Sequence, residues 1–152
     1  MTQPKQKPGR SKQSYGTPRE FLDAVERRFG VIVHDLAASA ENAVCSAYFD
    51  EERNGLIAEW PHDGTLWLNP PFGRPTAWLE RCDPSRRGWT LVLLPASVST
   101  NWFRDHVHGR AFVMPISPRL TFAGESDPFP KDLMLLAFGF GVKGFEPWQW
   151  MR

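Results

Sequence analysis

Thr65-Leu66-Trp67-Leu68-Asn69-Pro70-Pro71-Phe72 is the stretch from which the rest of the chain can be read. Its first four residues show no polar alternation, the pattern of a short strand buried on both faces. The strand stops at once on a polar side chain and two prolines. Those prolines fix the backbone and remove two N–H donors, so neither strand nor helix runs through them. What remains is a pair of acceptors, the Asn69 side-chain oxygen and the Pro70 carbonyl, with the flat apolar wall of Phe72 beside them. This set suits an exocyclic amine on a planar ring, which has two N–H bonds to give and one face to stack. Held in this way, the amine nitrogen can aim its lone pair at an electrophilic carbon. Near-attack positioning of that kind is worth several kcal/mol, on the order of 7–11 at best. The bland alternative is a rigid turn that ends a strand.

Toward the N-terminus, Val31-Ile32-Val33 reads as a second strand and leads into His34-Asp35-Leu36-Ala37-Ala38-Ser39. Before it, Thr17-Pro18-Arg19-Glu20 reads as a helix start, with Thr17 as N-cap and Pro18 in the first helical position. Phe21, Leu22, Val25 and Phe29 recur at helical spacing until Gly30. Residues 42–47 carry a weak helical pattern, and Arg53-Asn54-Gly55 reads as a loop. Toward the C-terminus the pattern predicts a helix over 75–81, an almost wholly apolar strand over 89–94 and a helix over 99–107. Two further strands follow over 111–114 and 133–138. Apolar strands alternating with helices predict an α/β fold, a mostly parallel sheet flanked by helices. Ligands of such sheets bind at the carboxyl ends of the strands, where Asp35 and Asn69 both fall.

A length of 152 residues fits one domain, and 41% apolar against 23% charged residues supports a packed core. Seven Trp and eleven Phe either fill that core or stack on a flat ligand. No apolar run approaches the roughly 18–20 residues that span a bilayer, and the first residues lack the apolar stretch of a secretory signal. Cys45 and Cys82 make neither a disulfide framework nor a zinc-type pair, and the four histidines show no ligand spacing. These features predict reduced thiols in a cytoplasmic protein with no membrane and no metal partner. The net charge of +1 hides an asymmetry. Lys5, Lys7, Arg10 and Lys12 stand in a segment without acids, leaving 14 basic against 17 acidic residues elsewhere. Residues 1–14 are expected to form a flexible basic arm and residues 15–152 the domain. The arm can touch nucleic-acid phosphates or merely keep the protein in solution. The body does not point to a large DNA-binding surface, so nucleic-acid contact there must be local.

The Asn-Pro-Pro-Phe motif at 69–72 resembles the Asp/Asn-Pro-Pro-Tyr/Phe motif of S-adenosylmethionine-dependent amino-methyltransferases. The wider order of residues is similar to the small phage-type DNA N6-adenine methyltransferases, related to Dam. It includes Thr17-Pro18, Asp35-Leu36-Ala37-Ala38 with Asn42, Cys45 and Tyr48 behind it, Trp60 and Trp78. It continues through Leu93-Leu94-Pro95-Ala96, Trp102-Phe103 and Pro118-Arg119-Leu120-Thr121-Phe122. The four-residue motif alone is shared with glutamine and RNA amino-methyltransferases; the ordered set is more specific.

The resemblance implies a compact Rossmann-like methyltransferase fold, S-adenosylmethionine as cofactor and a flipped adenine in DNA as substrate. It implies that Asn69 and Pro70 hold the adenine amine, that Pro71 stiffens the corner and that Phe72 stacks on the base. It places Thr17 against the methionine carboxylate of the cofactor and Asp35 against its amino group or an ordered water. Ala37 and Ala38 would let the backbone come close. Leu36-Ala37-Ala38 stands where many relatives carry a Phe-x-Gly-x-Gly loop, which is absent here. Tyr15 would wall the cofactor or pack the loop. Asp50, Glu51 and Glu52 are equal candidates for the cofactor ribose. Ser99 and Asn101, after the third strand, would contact the backbone of the target strand or simply start a capped helix. Arg119 would hold a phosphate near the flipped base or remain an ordinary surface ion.

Only about 30 residues separate Asp35 from Asn69, so the usual second and third strands must be short or missing. No separate recognition domain fits, and residues 115–130 are left as the segment that could read sequence. The expected activity is therefore site-specific or loosely specific adenine-N6 methylation of DNA. The alternatives are RNA adenine, cytosine-N4 or protein-glutamine methylation, or a non-catalytic nucleic-acid-binding protein that keeps the fold.

Overall fold

Leu66 and Leu68 enter one hydrophobic core and Trp67, between them, enters another. Alternation along a strand sends neighbouring side chains to opposite faces, so the strand is covered on both sides. The computed structural model describes residues 16–151; the arm expected over residues 1–14, and Tyr15, lie outside the described residues. Helix α1 (Arg19–Phe29) precedes β1 (Ile32–Asp35) and β2 (Thr65–Leu68). Then come α2 (Thr76–Glu80), β3 (Thr90–Pro95), α3 (Asn101–His106), β4 (Phe112–Ser117) and β5 (Leu133–Phe138). Two-residue strands β6 (Gly144–Phe145) and β7 (Trp148–Gln149) close the far edge.

The main strand order is β1-β2-β3-β5-β4-β6, with β7 also paired to β4. β1, β2 and β3 run parallel, and β5 is reversed between β3 and β4. Phe21, Leu22, Val25 and Phe29 of α1 pack on the face carrying Trp67, Leu91, Leu93 and Leu135. Trp78 and Leu79 of α2 pack on the opposite face with Leu66, Leu68, Val92 and Leu94. The result is a mixed α/β layer structure with a mostly parallel sheet flanked by helices. Among the described residues no helix is long and apolar enough to cross a membrane.

Several local expectations need correction. Helix α1 begins at Arg19, and its N-cap is Pro18, in an extended conformation. Thr17 is therefore not the cap; the Pro18 carbonyl accepts from the N–H groups of Phe21 and Leu22 instead. Residues 42–47 form turns, not a helix. Their backbone is diverted by side chains: the Ser39 N–H donates to Asn42 Oδ1 at 2.7 Å and the Val44 N–H to Asp35 Oδ2 at 3.1 Å. Such local side-chain acceptors compete with helical hydrogen bonding. Between β1 and β2 the chain adds one isolated bridge, Asp35 to Tyr48, in place of the usual two strands. The stretch considered for reading sequence is partly tied down, because Leu120, Phe122 and Phe129 are buried in the α1-side core.

Candidate active site

Asp35 is the last residue of β1, and its side chain is only 2% exposed. Its backbone is held from both sides. Its N–H donates to the Ala47 carbonyl, its own carbonyl accepts from Phe49, and the next N–H, of Leu36, donates to Trp67 in β2. The carboxylate accepts from the Ala37 N–H at 3.2 Å and from the Val44 N–H at 3.1 Å. Burial raises the Asp35 carboxyl from an ordinary 3.8 to about 7, with the two N–H groups pulling the other way. The group thus sits near the midpoint of its titration at neutral pH. A cationic partner would tip it to the ionised form.

Parallel pairing of β1 with β2 sets Asp35 opposite Trp67, two residues before Asn69. A narrow depression at this rim is lined by Thr17, Asp35, Ala37, Asn42, Val44, Trp67 and Asn69. Thr17 reaches it because Gly16 pairs with Ala123 and the chain then turns into α1. The structure therefore brings together Thr17, Asp35, Ala37 and Asn69. Ala37 also lines a second, wider cavity of about 190 Å³, formed with Ala38, Phe49, Asp50, Glu51, Asn54, Gly55 and Trp78. The two spaces adjoin through that residue.

Pro70 is buried and Pro71 half-buried, directly after Asn69. Phe72 is half-buried; its ring meets Phe129 edge-on, with centroids 5.7 Å apart, and touches both cores. Ser99 and Asn101 are exposed after β3, on the same rim. Thr100 between them caps α3, accepting from the Phe103 N–H at 3.3 Å. Arg119 is exposed, but it is not a free ion. Its Nη2 and Nε donate to Asp132 Oδ1 at 2.9 and 3.2 Å. Asp132 itself stands at the carboxyl end of β3, where its carbonyl accepts from Ala96. Among the described residues no group of three His, Cys, Asp or Glu side chains could hold a metal ion.

Four contributors to the wider cavity carry no site role in the sequence reading: Phe49, Asn54, Gly55 and Trp78. Asn54 adopts a positive φ of 53°, which the Asn-Gly pair signalled, but only as a turn. The three acids are now separable: Asp50 and Glu51 line the cavity and Glu52 does not. The donor set has a clear chemical sense. The narrow depression offers a hydroxyl, a carboxyl and two amides. The wide cavity is lined by two carboxylates, Asp50 and Glu51, and by the aromatic residues Phe49 and Trp78. That combination fits a ligand with an amino-acid group at one end and a hydroxylated planar nucleoside at the other.

The family described as DNA N-6-adenine-methyltransferase (Dam) matches residues 5–132 of the chain. The chain is 35% identical over 109 residues to "DNA N-6-adenine-methyltransferase" of Escherichia phage T1, covering 70% of this chain and 46% of that protein. It is 33% identical over 61 residues to "Putative methyltransferase YfdM" of Escherichia coli (strain K12), covering 37% of this chain and 67% of that one. The chain thus spans about half the length of the phage relative. No solved structure matches it.

Proposed function

The chain belongs to the DNA N-6-adenine-methyltransferase (Dam) family, and from that premise we propose that it methylates adenine N6 in DNA with S-adenosylmethionine, on a compact Rossmann-like fold. The observation that carries this reading is the seating of Asn69 in one depression with Asp35 and Thr17, followed directly by Pro70, Pro71 and Phe72. The strand order supports the fold assignment, since the reversed β5 lies between two strands that run with the rest. The depression lies at the carboxyl ends of β1 and β2, where open α/β sheets bind ligands, which supports the reading.

Asn69 Oδ1 and the Pro70 carbonyl accept the two N–H bonds of the adenine amine and so orient its lone pair. Pro71 keeps that corner from relaxing, and Phe72 stacks on the base. The adenine must first leave the duplex, at a cost of a few kcal/mol that stacking and the two hydrogen bonds offset. S-adenosylmethionine, when bound, supplies a methyl group on a positively charged sulfur, which an amine can accept without a strong base. Thr17 and Asp35 hold its amino-acid end. The short side chains of Ala37 and Ala38 admit the backbone close to it. Asp50 and Glu51 accept from the ribose hydroxyls, and Phe49 and Trp78 flank the ring. The N6 proton leaves late, to water or a carbonyl. On the rim, Ser99, Asn101 and Arg119 contact the backbone of the target strand, Arg119 exchanging Asp132 for a phosphate. Work of this kind belongs in the cytoplasm of the host cell.

The test is transfer of a radiolabelled methyl group to unmethylated DNA, followed by nucleoside identification. N6-methyladenine is expected. N4-methylcytosine, label in RNA alone or methylglutamine would replace the reading by another amine. No transfer, together with no calorimetric heat from S-adenosylmethionine, would make the protein a binder only. Readout of sequence by surface loops such as residues 115–130 would give a loose sequence preference. Methylome sequencing in a methylation-deficient host checks that, and one long invariant recognition word would refute it.

A further inference from the structure

The outer wall of the wide cavity is a loop, and one side chain outside the cavity holds that loop in shape. Asn54 and Gly55 form part of the wall. The Gly55 carbonyl accepts from Arg81 Nη1 and from the Trp60 indole N–H at 2.7 Å. Arg81 Nη2 donates to the Ala58 carbonyl at 2.6 Å. The same guanidinium lies over the Trp60 ring, 4.4 Å from its centroid. Arg81 thus ties two carbonyls of the loop to each other and stacks on a third loop residue. The space around Gly55 is fully used: a Cβ there would meet the Leu36 carbonyl at 2.1 Å and the Trp78 ring at 2.9 Å. Leu36 precedes the two alanines of the cavity floor, so movement of the loop carries directly to that floor.

Helix α2 connects this brace to the amine clamp. It begins four residues after Phe72, contributes Trp78 to the cavity wall and ends with Arg81 as its C-cap. Trp78 and Arg81 are three apart, so they lie on neighbouring parts of one short helix surface. The planar fork of Arg81 meets two carbonyl acceptors and an aromatic face together, which a lysine ammonium cannot do.

We propose that Arg81, braced on Trp60, is a positioning residue that fixes the 54–58 loop, whose Asn54 and Gly55 wall the nucleoside cavity. It thereby sets affinity for the adenosine half of the cofactor. The proposal rests on the reading that this cavity takes the nucleoside of S-adenosylmethionine.

Calorimetry on the full chain tests it with three probes: S-adenosylmethionine, S-adenosylhomocysteine and 5′-methylthioadenosine, which lacks the amino-acid end. Arg81→Ala is expected to weaken all three by a similar factor, about ten- to a hundredfold, because the lost contacts act on the part they share. Arg81→Lys should recover little. Trp60→Phe, which keeps a ring but removes the indole donor, should lose a few-fold in the same direction. In methyl transfer, the loss should fall on KM for the cofactor and not on kcat. Wild-type affinity for 5′-methylthioadenosine in Arg81→Ala and Trp60→Phe would overturn the proposal, even if both variants melt earlier. A loss confined to the two amino-acid-bearing probes would overturn it too. If wild-type protein binds none of the three, the cofactor reading itself fails, a different result from either.

Discussion

At one end of the sheet Phe29, Trp89 and Phe140 meet edge to face, with centroids 5.5 and 4.9 Å apart. Thr65 joins this closure by donating its hydroxyl to the Phe29 carbonyl at 2.8 Å. At the other end of the same strands the side chains that meet are Thr17, Asp35, Asn42 and Asn69. Both ends belong to one hydrogen-bonded sheet, yet they do different work. Ring contacts at the first end remove apolar area from water and stabilise the fold. The polar groups at the second end stabilise little and include a carboxyl whose burial is unfavourable until a partner arrives. Aromatic rings close the first end, and the polar side chains able to meet a ligand gather at the second.

The contrast can be broken by one substitution at each end. Asn69→Ala should lower methyl transfer by on the order of a hundredfold or more, with S-adenosylmethionine binding at least partly retained. Single-turnover transfer and calorimetry read the two quantities separately. Near-normal transfer would mean the amine is not held there. Trp89→Ala should behave in the opposite manner. It should cost about 3 kcal/mol of stability, a fall in Tm of roughly 10 °C, while transfer below that temperature stays within about twofold of wild type. Thermal melts beside activity at low temperature check this.

Asp35 sharpens the contrast through pH. Between 3.8 and about 7 the folded chain keeps a proton on Asp35 that the unfolded chain has already released. Stability from this group is therefore present below 3.8 and is lost as pH rises to about 7, on the order of 4 kcal/mol at most. Asp35→Asn should flatten that part of the stability–pH curve measured by urea unfolding. For the cofactor, with its cationic amino group, the sign reverses: binding should strengthen as pH rises through 7, and the Asn variant should lose the trend. The smallest effect is expected at Arg119, whose exposed pair with Asp132 contributes about 0–1 kcal/mol to stability. Arg119→Ala should leave Tm nearly unchanged, weaken DNA binding a few-fold and reduce the salt slope by about one.

The two ends were also unequally legible in the sequence. Strand β2 and its proline stop were plain, because four buried residues followed by Asn-Pro-Pro admit few alternatives. Strand β5 was found at Leu133–Phe138, but six apolar residues carry no mark of direction, and its reversal comes from pairing with both β3 and β4. β6 and β7 have two residues each and rest on pairing to β4, which no local pattern announces. Thr17 was expected to cap α1; Pro18 occupies that place, and Thr17 faces the depression. Asp35 was visible as a polar residue at a strand end. Its burial was not, since that depends on Val44 and Ala47 folding back over it. The contribution of Asn54, Gly55 and Trp78 depends on contacts between distant segments, which spacing alone cannot show.

Among the described residues the sheet has no full strand outside β1 beyond the single bridge at Tyr48. The exposed stretch at Glu52 and Arg53 can therefore take an insertion without shifting any strand register, because closing a longer surface loop adds little entropy, whereas Gly55 beside it has no room for a side chain. A designer seeking to retune which cofactor analogues the proposed cavity accepts has there a border open to insertion, while the proposed amine clamp stays fixed directly after β2.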